Sequence, residues 1–317
     1  MSAPPPRAIA AAANGAALAP ATVSVEQLGA LLDSLPTLPL VALRLTEAMN
    51  SRRTSVQHVA ELIGSDPSLA AKLLRLVNSA YFAIPGGVTD VSRAIPFVGF
   101  NTIYQLVLTV SVLETLALPD GATFDPRSLW LHSLAVGATA RVIGEELGHR
   151  DPDALFTAGL LHDMGKIAQC KLIPDRVVAI QDAIHRDGVP WAMAEEHLGI
   201  PRHDQIGREL ARRWRLPPAL AVPIEAHHNV LKPQLRDKVP VAQRTGAEAI
   251  AVADVIARDL VAGVAPDEPE VETDPRVAEL LTTLGISTAR RADLYSRAAA
   301  QLERSKPFLA LLEGRGR

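Results

Sequence analysis

The residues in this chain best able to do chemistry are histidines and aspartates. They are densest in the run Thr157-Ala-Gly-Leu-Leu-His-Asp-Met-Gly-Lys166. His162 and Asp163 offer an imidazole nitrogen and a carboxylate oxygen from adjacent backbone positions, and both are good ligands for Mn, Fe or Zn. A His-Asp dipeptide alone says little, but His132 stands upstream, and His203, His227-His228 and Asp254 stand downstream. The intervals are 30, 40, 24 and 26 positions. Apart from the two adjacent pairs, each candidate falls on a different expected helix, and converging helices can gather such residues around one or two ions. Asp254 sits in an apolar run, where a carboxylate is costly unless it is paired or bound to metal. The alternative for His132 and His203 is an ordinary hydrogen-bonded histidine. His58, His149, His185 and His197 lie in polar contexts and read as exposed.

The positioning elements read as helices throughout, with no run of strands, so the expected fold class is all-α. Start signals recur: Ser55, Asp66 before Pro67, Asp90 or Ser92, and Asp151-Pro152-Asp153, with Ser24 and the Asp125-Pro126 turn in the same role. Ala154, Leu155, Ala158, Leu161 and Met164 recur at helical steps, and Gly165 reads as a helix terminator. Lys166 is either a cation for phosphate oxygens or a solvated charge at a helix C-terminus. Leu73, Leu76, Val77 and Ile95 are expected core, and Asn78 is expected to tie down a helix end.

The expected organisation is an Ala/Pro-rich tail over 1–22, an N-terminal helical lobe over 23–120 and a second lobe carrying the histidines over 121–262. An acidic, Pro-rich linker over 263–275 and a C-terminal helical extension over 276–317 complete it. Arg7 alone, and an apolar stretch broken by Asn14-Gly15, speak against a secretory signal.

The net charge of −3 gives no global field for nucleic acid or anionic lipid. The single cysteine, Cys170, fits a reducing compartment and excludes an internal disulfide framework. No uninterrupted apolar segment spans a bilayer: Ile103 to Ala117 is broken by Gln105, Ser111 and Glu114. Val56 to Tyr81 has the outline of a helix-turn-helix. Its second helix offers only Lys72, Arg75 and Asn78 among leucines, which disfavours DNA reading.

From Val25 to Leu260 the chain resembles the HDOD domain, a bacterial signalling relative of the HD phosphohydrolases. The first lobe carries the resemblance in Leu35-Pro-Thr-Leu-Pro39, Asp66-Pro-Ser-Leu69, Leu76-Val-Asn-Ser-Ala80 and Ala94-Ile-Pro-Phe-Val-Gly99. The second carries it in Gly159-Leu-Leu-His-Asp-Met-Gly-Lys166, His203 with Gly207, Trp214-Arg-Leu-Pro217 and His227-His228. The resemblance implies an all-helical cytoplasmic protein of signal transduction. It matches His132, His162, Asp163 and Asp254 to the HD metal ligands. It matches His203, His227 and His228 to the second metal of the HD-GYP relatives, with Asp163 as the bridge. Asn229 stands where those relatives carry an acidic residue, and no Gly-Tyr-Pro loop follows, so hydrolysis of a cyclic dinucleotide is not implied.

The function expected from the sequence is a signalling output module that acts through contacts with signalling proteins and can bind a divalent metal or a nucleotide. A metal-dependent phosphohydrolase, with Asp163 and Lys166 at the reacting phosphate, is the alternative. A DNA-binding regulator stands third, and no membrane association is expected.

Overall fold

The computed structural model describes residues 25–49, 54–118, 127–262 and 275–312. The Ala/Pro-rich stretch over 1–22, Ser24, the Asp125-Pro126 turn and the acidic connection before Pro275 lie outside the described residues.

The described residues form α-helices and short turns, with no strand among them. The first part of the chain gives α1 (Val25–Asp33), α2 (Leu40–Met49), α3 (Val56–Gly64), α4 (Pro67–Val77), α5 (Val91–Val98) and α6 (Phe100–Thr115). Then follow α7 (Arg127–Glu146), α8 (Pro152–Leu161), α9 (Met164–Leu172), α10 (Pro174–Asp187), α11 (Trp191–His197), α12 (His203–Arg213) and α13 (Pro218–Ala226). The last are α14 (Pro233–Arg236), α15 (Val241–Ala262), α16 (Pro275–Thr283) and α17 (Thr288–Leu312).

The starts follow from capping chemistry. The side chains of Ser55, Asp66, Asp90 and Asp151 accept from the backbone N–H groups of His58, Leu69, Arg93 and Ala154. Each satisfies a donor that the first helical turn leaves unpaired. Between α4 and α5, Asn78 donates Nδ2 to the carbonyl of Val88 at 2.8 Å and accepts the Val88 N–H at 2.7 Å. The amide thereby fastens the Gly86-Gly87 loop onto the end of α4.

Nearly every residue of α6 is buried, packed among α2, α4, α5, α8 and α17. No single described helix is long and apolar enough to cross a membrane. The pair α5–α6 reaches that length only together, bent by 117° at Gly99, whose φ of +87° suits glycine. The buried apolar residues form one continuous core from Leu32 to Phe308, and Leu73, Leu76, Val77 and Ile95 belong to it. The C-terminal helices are part of that core: α17 lies along α7, and Phe308 stacks against Tyr81 and Phe156 with ring centroids at 5.3 and 5.0 Å. A smaller cluster around Ile180, Ala183, Ala194 and Ile200 joins α10 to α11.

The face that a helix-turn-helix would present is partly committed to the fold. Lys72 pairs with Glu114 of α6, and Asn78 is spent on Val88.

Candidate metal centre

Three helices set the first side of the centre. Where α7 crosses α8, a Cβ on Gly159 would lie 2.7 Å from the Cα of Gly137. The absence of side chains at this crossing lets the helix axes close in, and the rings of His132 on α7 and His162 at the end of α8 come within 5.5 Å. The long helix α15 packs beside α7 and brings Asp254 Oδ1 to 2.9 Å from His132 Nε2 and 3.9 Å from His162 Nε2.

The helix expected to run through Met164 instead breaks at His162-Asp163. Asp163, at φ −98° and ψ 15°, lies in the sparsely populated bridge region where active-site residues often sit. This kink lets the pair face inward together. Gly165 is not the terminator: it lies in the first turn of α9, where a Cβ would fall 1.9 Å from the carbonyl oxygen of His203. Its role is to let the start of α12 rest on α9. Lys166 is likewise near the start of α9 rather than at a helix C-terminus, and its Nζ is 2.5 Å from Asp163 Oδ2.

The second side comes from α12 and the end of α13. His203 opens α12, while His227 and His228 follow the last residue of α13 rather than lying within it. His203 Nε2 is 3.4 Å and His227 Nε2 3.9 Å from Asp163 Oδ1, and His203 Nε2 is 3.0 Å from His228 Nε2. The ligand atoms of His132, His162 and Asp163 all lie within 4.8 Å of one another, as do those of His203, His227 and His228. Asp163 turns Oδ2 to the first group and Oδ1 to the second. All seven residues singled out by sequence therefore surround one centre. His58, His185 and His197 are exposed.

The proton positions follow from the outer partners. His162 Nδ1 is 2.7 Å from the carbonyl of Gly159, His227 Nδ1 2.9 Å from that of Ile224, and His203 Nδ1 2.9 Å from Glu195 Oε2. A carbonyl or carboxylate at that distance takes the ring N–H, which leaves a bare lone pair on each Nε2. In the neutral ring, His162 Nε2 would turn that lone pair toward Asp163 Oδ2 at 3.3 Å. Lone pair faces carboxylate there, an arrangement relieved only by an added proton or a cation. His162 Nε2, His227 Nε2 and Asp163 Oδ1 are all buried without a hydrogen-bond partner. Buried polar atoms are rarely left so, and each such orphan needs a physical reason. A set of imidazole and carboxylate donors converging from two sides fits divalent transition ions.

Burial disfavours the charged form of His162, yet the Asp163 and Asp254 carboxylates outweigh it and raise its proton affinity. For His227, burial and the neighbouring His162 depress the pKa to about 3, so the ring is neutral at physiological pH. Burial opposes ionisation of Asp163 and Asp254 as well, but the facing cations hold both well below the carboxylate range. For Asp163 these are His162 and Lys166; for Asp254 it is Arg258, helped by the hydrogen bond from His132.

The centre opens into a cleft of about 220 Å³ lined by Lys166, Arg258, Trp191, Ile184, Val189 and the edges of His132, His203, His228 and Asp254. Arg258 Nη2 holds Asp254 Oδ2 at 2.5 Å, and Lys166 Nζ lies 5.6 Å from the Trp191 ring centroid. The mouth thus combines two cations, each paired with a carboxylate, with the apolar side chains of Trp191, Ile184 and Val189. Sequence reading missed Arg258, Trp191 and Glu195. Arg258 follows Asp254 by one helical turn, which was a usable signal. Glu195, in a short helix of mixed character, gave none.

An all-α chain that places a His-Asp pair at a helix break, with histidines and a distant aspartate closing around it, is of the HD type. Residues 35–230 match the model of the HDOD domain, and the chain belongs to that family. Asp254 lies beyond the matched span. A candidate phosphohydrolase from Shewanella amazonensis SB2B is 26% identical, with a TM-score of 0.69 over 88% of this chain and 97% of that one. An HDOD domain protein of unknown function from Geobacter sulfurreducens shares the fold at 22% identity, with a TM-score of 0.68 over 91% and 99% of the two chains. A candidate signal transduction protein from Marinobacter aquaeolei VT8 also shares it, at 16% identity and a TM-score of 0.66 over 91% of this chain and 65% of that one. An uncharacterized protein of Treponema pallidum (strain Nichols) is 26% identical over 200 residues. That match covers 63% of this chain and 38% of the relative's length.

Proposed function

We propose that this chain is a cytoplasmic signalling protein that holds two divalent metal ions across Asp163 and binds a phosphate-bearing ligand at the mouth of that centre. The observation that carries the reading is the convergence of unpartnered, buried His162 Nε2, His227 Nε2 and Asp163 Oδ1 on the two sides of one carboxylate. His132, His162, Asp163 and Asp254 hold the first ion, and Asp163, His203, His227 and His228 the second. Mn, Fe and Zn all suit this donor set. Lys166 and Arg258 supply positive charge where phosphate oxygens enter, and the Trp191 wall accepts an apolar or aromatic group such as a nucleobase. Output runs through contacts with signalling proteins that read the ligand-bound state. The signalling role is supported by the family.

A second reading, a phosphohydrolase, is favoured by the complete ligand set and by Lys166 beside Asp163. Bound there, two ions would supply Lewis acidity for a water and for a phosphate oxygen. Asp163 would anchor the centre, and Lys166 would hold the phosphate oxygens. Asn229 weighs against efficient turnover: it follows the double histidine but lines a neighbouring cleft with Arg208 and Lys232.

The test compares the parent with the double variant His162→Ala, Asp163→Ala. Metal content, hydrolysis of a panel of cyclic and linear nucleotides, and rescue of a deletion strain are the readouts. The proposal expects metal in the parent, none in the variant, turnover well under about 1 per second, and rescue by the parent alone. A folded variant that rescues normally refutes the metal-dependent output. A parent turning over at enzyme-like rates replaces the binding reading with the hydrolase.

A further inference from the structure

Glu195 is fully buried on a seven-residue helix, with 0% of its surface exposed. A carboxylate there must be hydrogen-bonded on several sides to stay charged. Its Oε1 accepts from Gln169 Nε2 at 2.6 Å, Trp191 Nε1 at 3.1 Å and the backbone N–H of His203 at 2.8 Å. Its Oε2 faces His203 Nδ1 at 2.9 Å. The acceptor capacity of Glu195 is thus spent on one cleft-wall residue, one residue of α9 and, through two separate contacts, His203.

The three buried histidines nearest Asp163 differ in this respect. His162 and His227 give their Nδ1 protons to backbone carbonyls. Only His203 gives its proton to a carboxylate. A charged partner fixes the tautomer and ring angle more firmly than a carbonyl and makes the far nitrogen a better donor to metal. That nitrogen, His203 Nε2, is the one 3.0 Å from His228 Nε2 and 3.4 Å from Asp163 Oδ1.

We propose that Glu195 is the positioning residue of the second metal site: clasping His203 by both its backbone N–H and its ring, it makes His203 the dominant ligand of the His203–His227–His228 group. Glu195 does not touch the ion. It sets the aim of the nitrogen that does, and it ties that aim to α11 and so to the Trp191 wall of the cleft. The first site, which has no contact with Glu195, is independent of it. This rests on the two-metal reading above.

The experiment titrates metal-free parent and Glu195→Gln with Mn(II), following bound metal and the electron paramagnetic resonance spectrum. The parent should bind two ions and give the spin-coupled signal of a pair. Glu195→Gln, nearly isosteric but neutral, should bind the first ion with parental affinity and the second roughly 10–100-fold more weakly, giving an isolated-ion spectrum at limiting Mn(II). A purely structural role would lower stability without separating the two sites. If Glu195→Gln does not fold, Glu195→Asp, which keeps the charge but withdraws it, should show the same selective loss. Two ions at parental affinity in whichever of these folds overturn the assignment while leaving the metal centre standing. A parent that binds no ion overturns the two-metal reading and Glu195's role together.

Discussion

Gly165→Ala tests the link between packing and the centre. The added Cβ would sit 1.9 Å from the carbonyl oxygen of His203 and 2.7 Å from its carbonyl carbon. A close carbon–oxygen contact needs about 3.3 Å, so the start of α12 must retreat from α9 by roughly 1.4 Å. Both partners are backbone, so no side-chain rotamer can absorb the move. Overpacking of this kind costs about 1–3 kcal/mol, and the backbone contact argues for the upper end, about 3 kcal/mol. His203 moves with α12, so its Nε2 withdraws from Asp163 Oδ1, now at 3.4 Å, and the second ion should be lost before the first. Urea unfolding gives the stability, and metal analysis of the folded protein gives the occupancy. Gly29→Ala is the control: nothing lies within 4 Å of its Cβ position on α1, and helix propensity there predicts a gain of about 0.5–1 kcal/mol. A Gly165→Ala protein with the parental midpoint and both ions would refute the close approach of α9 and α12 and the account of His203 built on it.

Asn78→Ala removes both hydrogen bonds to Val88 and should cost about 1–3 kcal/mol, read as a lowered urea midpoint; an unchanged midpoint means the loop is held by something else. Lys166→Met should leave metal content intact but weaken inorganic phosphate binding to the loaded protein by at least about tenfold in calorimetry; parental affinity would remove Lys166 from the ligand site. Metal affinity should rise with pH, because His162 carries a raised proton affinity and must lose that proton to ligate. The sign in the metal-free protein is the reverse. Protonated His162 stabilises the fold fully below the unfolded imidazole value of about 6.5, and that contribution disappears as pH rises through the raised folded value. Melting curves of metal-free and loaded protein should therefore diverge as pH increases, and parallel curves would count against His162 as a ligand.

Helix starts were legible because caps are local: Asp66-Pro67 and Asp151-Pro152 need only their own next turn to act. The convergence of the seven histidines and aspartates was legible because few other reasons place such residues in apolar helical runs. The break between α8 and α9 was not. The apolar period continues through Met164, and only tertiary contact decides that His162 and Asp163 leave the helix. Gly165 was misassigned for the same reason, since its neighbour His203 lies 38 positions away. The position of Lys166 then followed the misplaced helix end. Glu195 was invisible because its burial depends on Gln169, Trp191 and His203 together, and no periodic pattern marks such a cluster. The composition shift before Pro275 marks a C-terminal helical extension, but not its packing: α17 lies on α7 and sets Phe308 against Tyr81 and Phe156, 227 and 152 positions away.

Anomalous diffraction from crystals of the Mn(II)-loaded protein would locate the ions at Asp163. Two peaks about 3.5–4 Å apart are expected, one beside each carboxylate oxygen of Asp163, the first within ligand reach of His132, His162 and Asp254 and the second within reach of His203, His227 and His228. A single peak, or ions bound away from Asp163 with the Nε2 atoms of His162 and His227 still unpartnered, would contradict it.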